Sequence, residues 1–550
     1  MKKSLLLFQY RNALELYSKL KKRLDKNLAS GSFYKFTKRK RAQLVARIER
    51  LKAQLNGLQQ GLKWTSAALA MSAMLNVTDA NAQATPIGTE FLVNTTTAGS
   101  QAHNEIASDA NGNFVIVWES EPQDGDLGGI YAQRYDATGA AVGSEFKVNT
   151  TTAGDQSDPV VAIDNSGKFV IAWESTDASS KGIFAQRYNA DGSANGTEFQ
   201  VNTYTTNKQV SPDIAIDADG DFVITWQSYT QDGGDYGIYA QQYNAAGAAQ
   251  GSEFRVNTTT AESQYQPSVA MDDNGNFAIT WASYLQDGNN SGIYAQRYNA
   301  AGVVQGSEFK VNTTVADVQE DPSIAMDADG DFVITWESDN QDSDGLGIYA
   351  QRYNNSGAPQ LSEFKVNTTL TDDQDSPSIA MDDDGDFVIG WRTYNQGGPG
   401  YDSYAQCFDE VGTPKGSEFK VNTTSTDEGY QFFPNIAIDS DGDFVITWWT
   451  YDQDGDETGI YAQRYTGGFT TAVQNNSTLL FSFYPNPAKD QVQIDLNGTY
   501  NVRILNLYGQ LMLEENLSGN SMNIESLKTG TYVIEVSQDG QKATQKLVIE

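Results

Sequence analysis

The 550-residue chain has one cysteine, Cys407, and one histidine, His103. No disulfide can form within it, so the fold must stand on its apolar core. A zinc site of cysteines and histidines is excluded by the same count. A Ser-His-Asp mechanism would have to run through His103 alone. Basic residues are also scarce, with 37 Lys+Arg against 71 Asp+Glu. Residues 1–84 hold 17 of the basic and 4 of the acidic residues, a net of +13, which leaves 20 and 67 for residues 85–550, a net of −47. So acidic a body repels phosphates, which argues against nucleic acid as a partner. Basic surfaces or cations are the charge partners that remain, and solubility outside the cell is the plainer use of such charge. No G-x-S-x-G, P-loop, H-E-x-x-H or dinucleotide fingerprint occurs. The apolar run Trp64 to Leu75 is twelve residues long, short of the roughly 20 that span a bilayer.

What the chain does have is repetition. Trp118, Trp173, Trp226, Trp281, Trp336, Trp391 and Trp448 each close a run of the type G-[DNK]-F-[VA]-I-x-W, and neighbouring copies lie 53 to 57 residues apart. That period, with several short strands per copy, predicts a β-propeller. The fifth copy reads SEFKVNTT (307–314) and DPSIAMDADGDFVITWESDNQDSDGLGIYAQRYN (321–354). Its strand candidates are EFKVN, PSIAM, DFVITW and GIYAQRY, each bounded by turn formers. The Trp strand is apolar at nearly every position, as expected of a strand covered on both faces. EFxVN elements begin at Glu90, Glu145, Glu198, Glu253, Glu308, Glu363 and Glu418, and the series ends on a YAQRY strand at 460–465. The N-terminal strand is therefore expected to complete the last blade, closing a seven-bladed ring and hiding both sheet edges. The recurrent Arg134, Arg187, Arg297, Arg352 and Arg464 read as packing or ion pairs between blades. Within each copy the layout resembles the repeats of TolB-type propellers, on Pro322, Ser323, Gly330, Ile334, Trp336, Ile348 and Tyr349. That resemblance implies the fold and no particular activity.

The flanks differ from the repeats. Residues 1–84 read as an extended export segment. The Trp64–Leu75 run precedes A-x-A sites at Ala80–Ala82 and Ala82–Ala84, the pattern of a secretory signal. Before it, Leu44, Ile48, Leu51, Leu55, Leu58 and Leu62 form a helical stripe, so a retained helical anchor is the alternative. Residues 85–466 are the repeats and 467–478 a polar linker. Residues 479–550 are short alternating strands with glycine turns, enough for a small β-sandwich. Their order strongly resembles the type A sorting domain of the type IX secretion system, on Pro485, Asn486, Pro487, Val502, Ile504, Gly509, Ile524, Leu527, Gly530, Tyr532, Lys546, Leu547 and Val548. The resemblance implies a bacterium of the Bacteroidetes type, and export across both membranes with the secretion machinery as partner of residues 479–550. It also implies release of the cargo or its attachment to surface lipopolysaccharide. No transmembrane anchor is expected in the mature chain.

Two sets of residues are candidates for chemistry. The D-x-D-G-D turns place carboxylates at Asp217, Asp219 and Asp221, at Asp327, Asp329 and Asp331, at Asp382, Asp384 and Asp386, and at Asp439, Asp441 and Asp443. Such sets offer oxygen ligands to calcium. Asn111/Asn113 and Asn274/Asn276 replace Asp in two copies, and no distal acid closes the shell, so turn chemistry is the favoured reading. No cofactor is required. The second set is Tyr229, Tyr284, Tyr394 and Tyr451, which follow the Trp strand in four copies, with Arg392, which breaks the repeat. Aromatic rings on loops stack on sugars, although shielding of blade edges is the alternative for these tyrosines. The expected function is binding of a polysaccharide or a surface protein. A carbohydrate-active hydrolase with its site in the funnel is the alternative, and a structural surface-layer component a third reading.

Overall fold

The computed structural model describes residues 84–467 and 482–549, except 178, 343, 397–399, 424–430, 497, 507–510 and 539–540. The proposed signal and helical stripe, most of the linker, and Gly509 lie outside the described residues. The described chain is all β, and no described helix is long and apolar enough to cross a membrane.

Each copy forms the same antiparallel sheet. In the fifth, Gln319–Met326 pairs with Phe332–Asp339, that strand with Leu346–Tyr353, and the last with Pro359–Lys365. The EFxVN strand of a copy thus completes the sheet begun by the copy before it. Thr85–Leu92 accordingly pairs with Thr458–Thr466, as the offset in the sequence leads one to expect. The first strands, Ser100–Ser108, Gln156–Ile163, Gln209–Ile216, Gln264–Met271, Gln319–Met326, Gln374–Met381 and Gln431–Ile438, adjoin one another in that order. The last also adjoins the first, where Asn104 Nδ2 donates to Thr447 Oγ1 at 2.8 Å and Ser108 Oγ to the Ile438 carbonyl at 2.7 Å.

The repeated residues account for the packing. All seven Trp side chains are fully buried, between sheets lined by Ile, Val and Ala. A Phe at the start of the Trp strand stacks on the Tyr that ends the next strand, as in Phe332–Tyr353, centroids 4.9 Å apart and planes 12° apart. In the sixth copy Phe408 takes the place of that Tyr. Polar clasps recur beside this core. Asn312 Oδ1 accepts the Ile293 amide at 2.8 Å, and its Nδ2 donates to Gln319 Oε1 at 2.9 Å. The Glu of EFxVN accepts a threonine amide from the preceding copy, as Glu363 does from Thr313 at 2.6 Å. At the chain's own junction Glu90 accepts the Thr423 amide at 2.7 Å and Gln453 Nε2 at 2.8 Å. Among the described residues the recurrent arginines form no ion pairs between sheets. Arg134, Arg187 and Arg464 donate to carbonyls of the next copy's hairpin, at Ala190, Ala245 and Thr138.

Residues 482–549 form two further sheets. Ser482–Tyr484, Gln491–Asp495 and Ser521–Asn523 make one, and Tyr500–Asn506, Leu511–Leu517, Gly530–Gln538 and Gln541–Ile549 the other. Both contribute to one core that includes Val492, Ile494, Val502, Ile504, Met522, Ile534, Val536 and Leu547. This is the small sandwich expected from alternation. The P-N-P motif ties the start of the domain to its last strand. Asn486 Oδ1 accepts the Val548 amide at 2.8 Å, and the Ala488 amide donates to the Val548 carbonyl at 2.8 Å. Gly530 opens a central strand, and Tyr532 donates its hydroxyl to the Lys528 carbonyl at 2.8 Å. Lys546 lies opposite Val533 in the last strand pair.

Candidate functional site

The D-x-D-G-D turns lie at one end of the sheets, between the first two strands. Their carboxylates are engaged by backbone amides. Asp327 Oδ1 accepts the amides of Asp329 and Asp331, both at 2.9 Å, and Asp331 Oδ1 accepts that of Asn355 at 2.7 Å. Asp217, Asp382 and Asp439 close their turns on amides in the same way, and Asp221 and Asp386 reach amides of the following hairpin. Gly330 has φ +85°, and a Cβ there would come within 3.0 Å of Asp272 Oδ2, the first Asp of the preceding copy. The turn glycine is thus fixed both by conformation and by a close neighbour. Among the described residues one acidic group converges closely, Glu119, Glu121 and Asp155. It belongs to the other end of the sheets and to none of these turns.

That other end is built on a bulge. In each first strand the register against the second slips by one residue, and one residue takes a left-handed backbone. These residues are His103, Asp158, Ser211, Gln266, Asp321, Ser376 and Phe433, with φ between 46° and 53°. Six precede a proline, and Asn104 stands at the proline position in the first copy. Seven non-glycine residues in this conformation need support from their surroundings, and in three copies the residue after the Trp helps to supply it. Glu174 Oε1 accepts the Ser211 amide at 2.7 Å, Gln227 Oε1 that of Gln266 at 2.9 Å, and Glu337 Oε2 that of Ser376 at 2.9 Å. Each bond runs from one copy to the next. Between the first two copies His103 Nδ1 lies 3.0 Å from Glu119 Oε2 and 3.1 Å from Asp158 Oδ1. Hydrogen bonds to Asp158 and Glu119 raise the imidazole pKa to about 10, against the opposing effect of burial.

In the seventh copy the same positions turn aromatic. Trp449 follows the repeated Trp448, and Phe432 and Phe433 occupy the bulge. Phe432 stacks on Trp449 with centroids 4.1 Å and planes 19° apart, and Phe433 lies 6.4 Å from the same indole. Tyr451 meets Phe432 and Trp449 edge-on, each at 6.0 Å. Arg392 is fixed by Asp375, with Nε–Oδ1 at 2.6 Å and Nη2–Oδ2 at 2.9 Å. Its guanidinium lies 4.2 Å from the Tyr401 ring, and Tyr401 packs on Tyr394 at 4.9 Å. Phe433, Tyr451 and Tyr394 remain 42%, 43% and 37% exposed. A cavity of about 180 Å³ beside this group is lined by Gln266, Asp321, Ser376, Phe433, Asn435 and the intervening prolines.

Asp375 and Glu337 lie near Arg392, and Asp321 and Glu320 lie near Glu337 in turn. Burial raises the Glu337 pKa to about 8, with Asp321 and Asp375 adding to the shift. Burial likewise raises Asp321 to about 7, helped by Glu320 and Asp375 and opposed by Arg392. Among the tyrosines singled out in the sequence, Tyr394 and Tyr451 join the aromatic group with Arg392. Tyr229 packs on Tyr236 in the third copy at 5.1 Å, and Tyr284 stands 39% exposed in the fourth. Phe432, Phe433, Trp449, Tyr401 and Asp321 were not singled out. For Phe432, Phe433, Trp449 and Asp321 the signal was available in three variable positions, the two residues before the proline and the residue after the Trp.

Comparison with known proteins adds the following. A 77-residue stretch is 32% identical to beta-agarase D of Zobellia galactanivorans, covering 14% of this chain and 16% of the agarase. The alpha-L-arabinanase of Penicillium chrysogenum, solved with arabinobiose, is 14% identical over 69% of this chain and 98% of its own, with a TM-score of 0.39. The β-propeller domain of the Trilobed protease from Pyrococcus furiosus is 8% identical over 69% and 99%, with a TM-score of 0.41. PorZ, a surface component of the type-IX secretion system of Porphyromonas gingivalis, is 12% identical over 82% and 75%, with a TM-score of 0.25. Residues 482–550 match the family described as the secretion system C-terminal sorting domain. That match covers the Asn486 clamp and the two-sheet core described above, and it directs the chain through the type IX secretion system to the cell surface or the surrounding medium.

Proposed function

We propose that the repeats form a seven-bladed propeller acting as a binding module for polysaccharide, exported by means of its sorting domain. Closure of the last sheet by Thr85–Leu92 supports the count of seven blades. The observation that carries the binding role is the change of Phe433, Trp449 and Arg392 from the polar pattern of the other copies, beside a cavity. A partly exposed aromatic face with a fixed polar rim suits the apolar face and hydroxyl edge of a sugar ring. Affinity electrophoresis of the full chain through gels holding soluble polysaccharides tests this. Retardation by a glycan that is lost in Phe433→Ala is the expected result. Equal mobility in every gel would overturn it and favour a protein partner.

A hydrolase is the second reading, favoured by one observation. Asp321 and Glu337 have pKa values raised to about 7 and 8, the range of a general acid at neutral pH. New reducing ends in the retarding glycan, absent in Glu337→Gln, would establish that reading. Calcium at the Asp turns remains a lesser proposal, supported by carboxylate density alone.

A further inference from the structure

The cavity and its wall narrow the class of sugar, granted that the site binds a glycan at all. A volume of about 180 Å³ is below the ~300–1,000 Å³ of clefts that enclose larger ligands. It has room for one sugar ring. The two sides of the cavity differ. On one side Phe433 supplies the aromatic lining, and behind it Phe432 and Trp449 lie within 28° of parallel to its ring. The Arg392 guanidinium is 5.4 and 5.5 Å from the Phe432 and Phe433 centroids, so the attraction of those faces for a cation is already used. A second cation placed there would be repelled by Arg392.

Asp321 is the acidic residue of the lining, and Glu320, Glu337 and Asp375 stand outside it. Arg392 is taken up by Asp375 through two bonds. The remaining carboxyl groups are met by neutral donors: Asp321 by the Gln266 side-chain amide, Glu320 by the Tyr265 hydroxyl at 3.1 Å, and Glu337 by the Ser376 amide at 2.9 Å. Asp321 and Phe433 both line the cavity. Recognition here calls for an uncharged ring face and a positive group.

We propose that the ligand is a glycan ending in, or branching to, a hexosamine with a free amine, its ring face on Phe433 and its ammonium group turned to Asp321. A lysine-rich peptide is disfavoured, because its flexible chain matches the ring of Phe433 poorly. An ammonium group near Asp321 stabilises the carboxylate against the burial and neighbouring acids that oppose it. Binding near pH 7 therefore releases protons from the protein.

The test is calorimetric titration of the full chain with a β-1,4-linked glucosamine trisaccharide, its fully N-acetylated form, the neutral glucose trisaccharide and trilysine. The glucosamine trisaccharide should bind at least tenfold more tightly than the other three and weaken as salt rises. At about pH 6, where the ligand's amines are already protonated, titrations in buffers of different ionisation enthalpy should show net proton release. Asp321→Asn should remove the tenfold preference while leaving the melting temperature within a few degrees, and Phe433→Ala should weaken all the sugars together. Equal binding of the neutral or N-acetylated sugar would overturn the amine and leave glycan binding standing. Tighter binding of trilysine, or binding of nothing, would overturn both.

Discussion

The two ends of each repeated sheet obey different rules. At the Asp-turn end a carboxylate closes on the amides two and four residues on, in the first copy through Asp109 and in the last through Asp439. At the bulge end the backbone is equally regular, with one left-handed residue per copy, yet the side chains there are His, Asp, Ser, Gln, Asp, Ser and Phe. A repeat keeps what every copy needs to pack and varies what only the assembled array uses. A rigid scaffold whose loops and bulges vary is a common arrangement for recognition.

This contrast can be broken from the scaffold side first. Trp336→Ala should cost about 3–5 kcal/mol in a denaturant titration, since the indole is fully buried between two sheets. It should do so without changing ligand preference in the fraction that stays folded. Glu90→Ala removes the clasp that ties the N-terminal strand to Thr423 and Gln453. A loss of about 1–3 kcal/mol is expected from the two donors left without their acceptor, visible as earlier proteolysis near residue 85.

The bulge end responds to pH in a definite direction. His103 has its pKa raised above the ordinary 6.5, so its contribution is complete below pH 6.5 and is lost as pH rises towards about 10. Its half-exposed ring makes that contribution modest. Glu337 is raised from 4.5 to about 8, so the fold favours its neutral form, and that contribution too is lost as pH rises from 4.5 to 8. Melting temperature should therefore fall from pH 6 to pH 9. Glu337→Gln should raise it by a few degrees at pH 9 and leave it nearly unchanged at pH 5. A profile with the opposite slope in both proteins would show that these groups are solvated.

The smallest effects sharpen the contrast. Phe433→Ala should change stability by no more than about 0.5 kcal/mol, as its ring is 42% exposed, while abolishing glycan retardation. Chelation of divalent cations should leave the melting temperature where it was, because amides already hold the turn carboxylates.

The sequence by itself determined the strands, their bounding turns, the buried Trp series, the offset that completes the last sheet and the nature of residues 482–550. All of these rest on local periodicity or on a motif repeated often enough to be read against itself, and short-range sterics and burial act alike on every copy. The Asp turns were legible for the same reason: an Asp followed two residues later by Asp-Gly or Asn-Gly closes on its own amides. The arginine series was only half legible, since its partners are carbonyls that carry no side-chain signature. Tertiary structure alone decided which of the variable residues meet. Asp321, Arg392 and Phe433 are more than a hundred residues apart from first to last, and only the lateral packing of the first strands brings them beside one cavity. The bulge that turns them there is a backbone event, marked in six copies by a proline whose consequence depends on the neighbouring sheet.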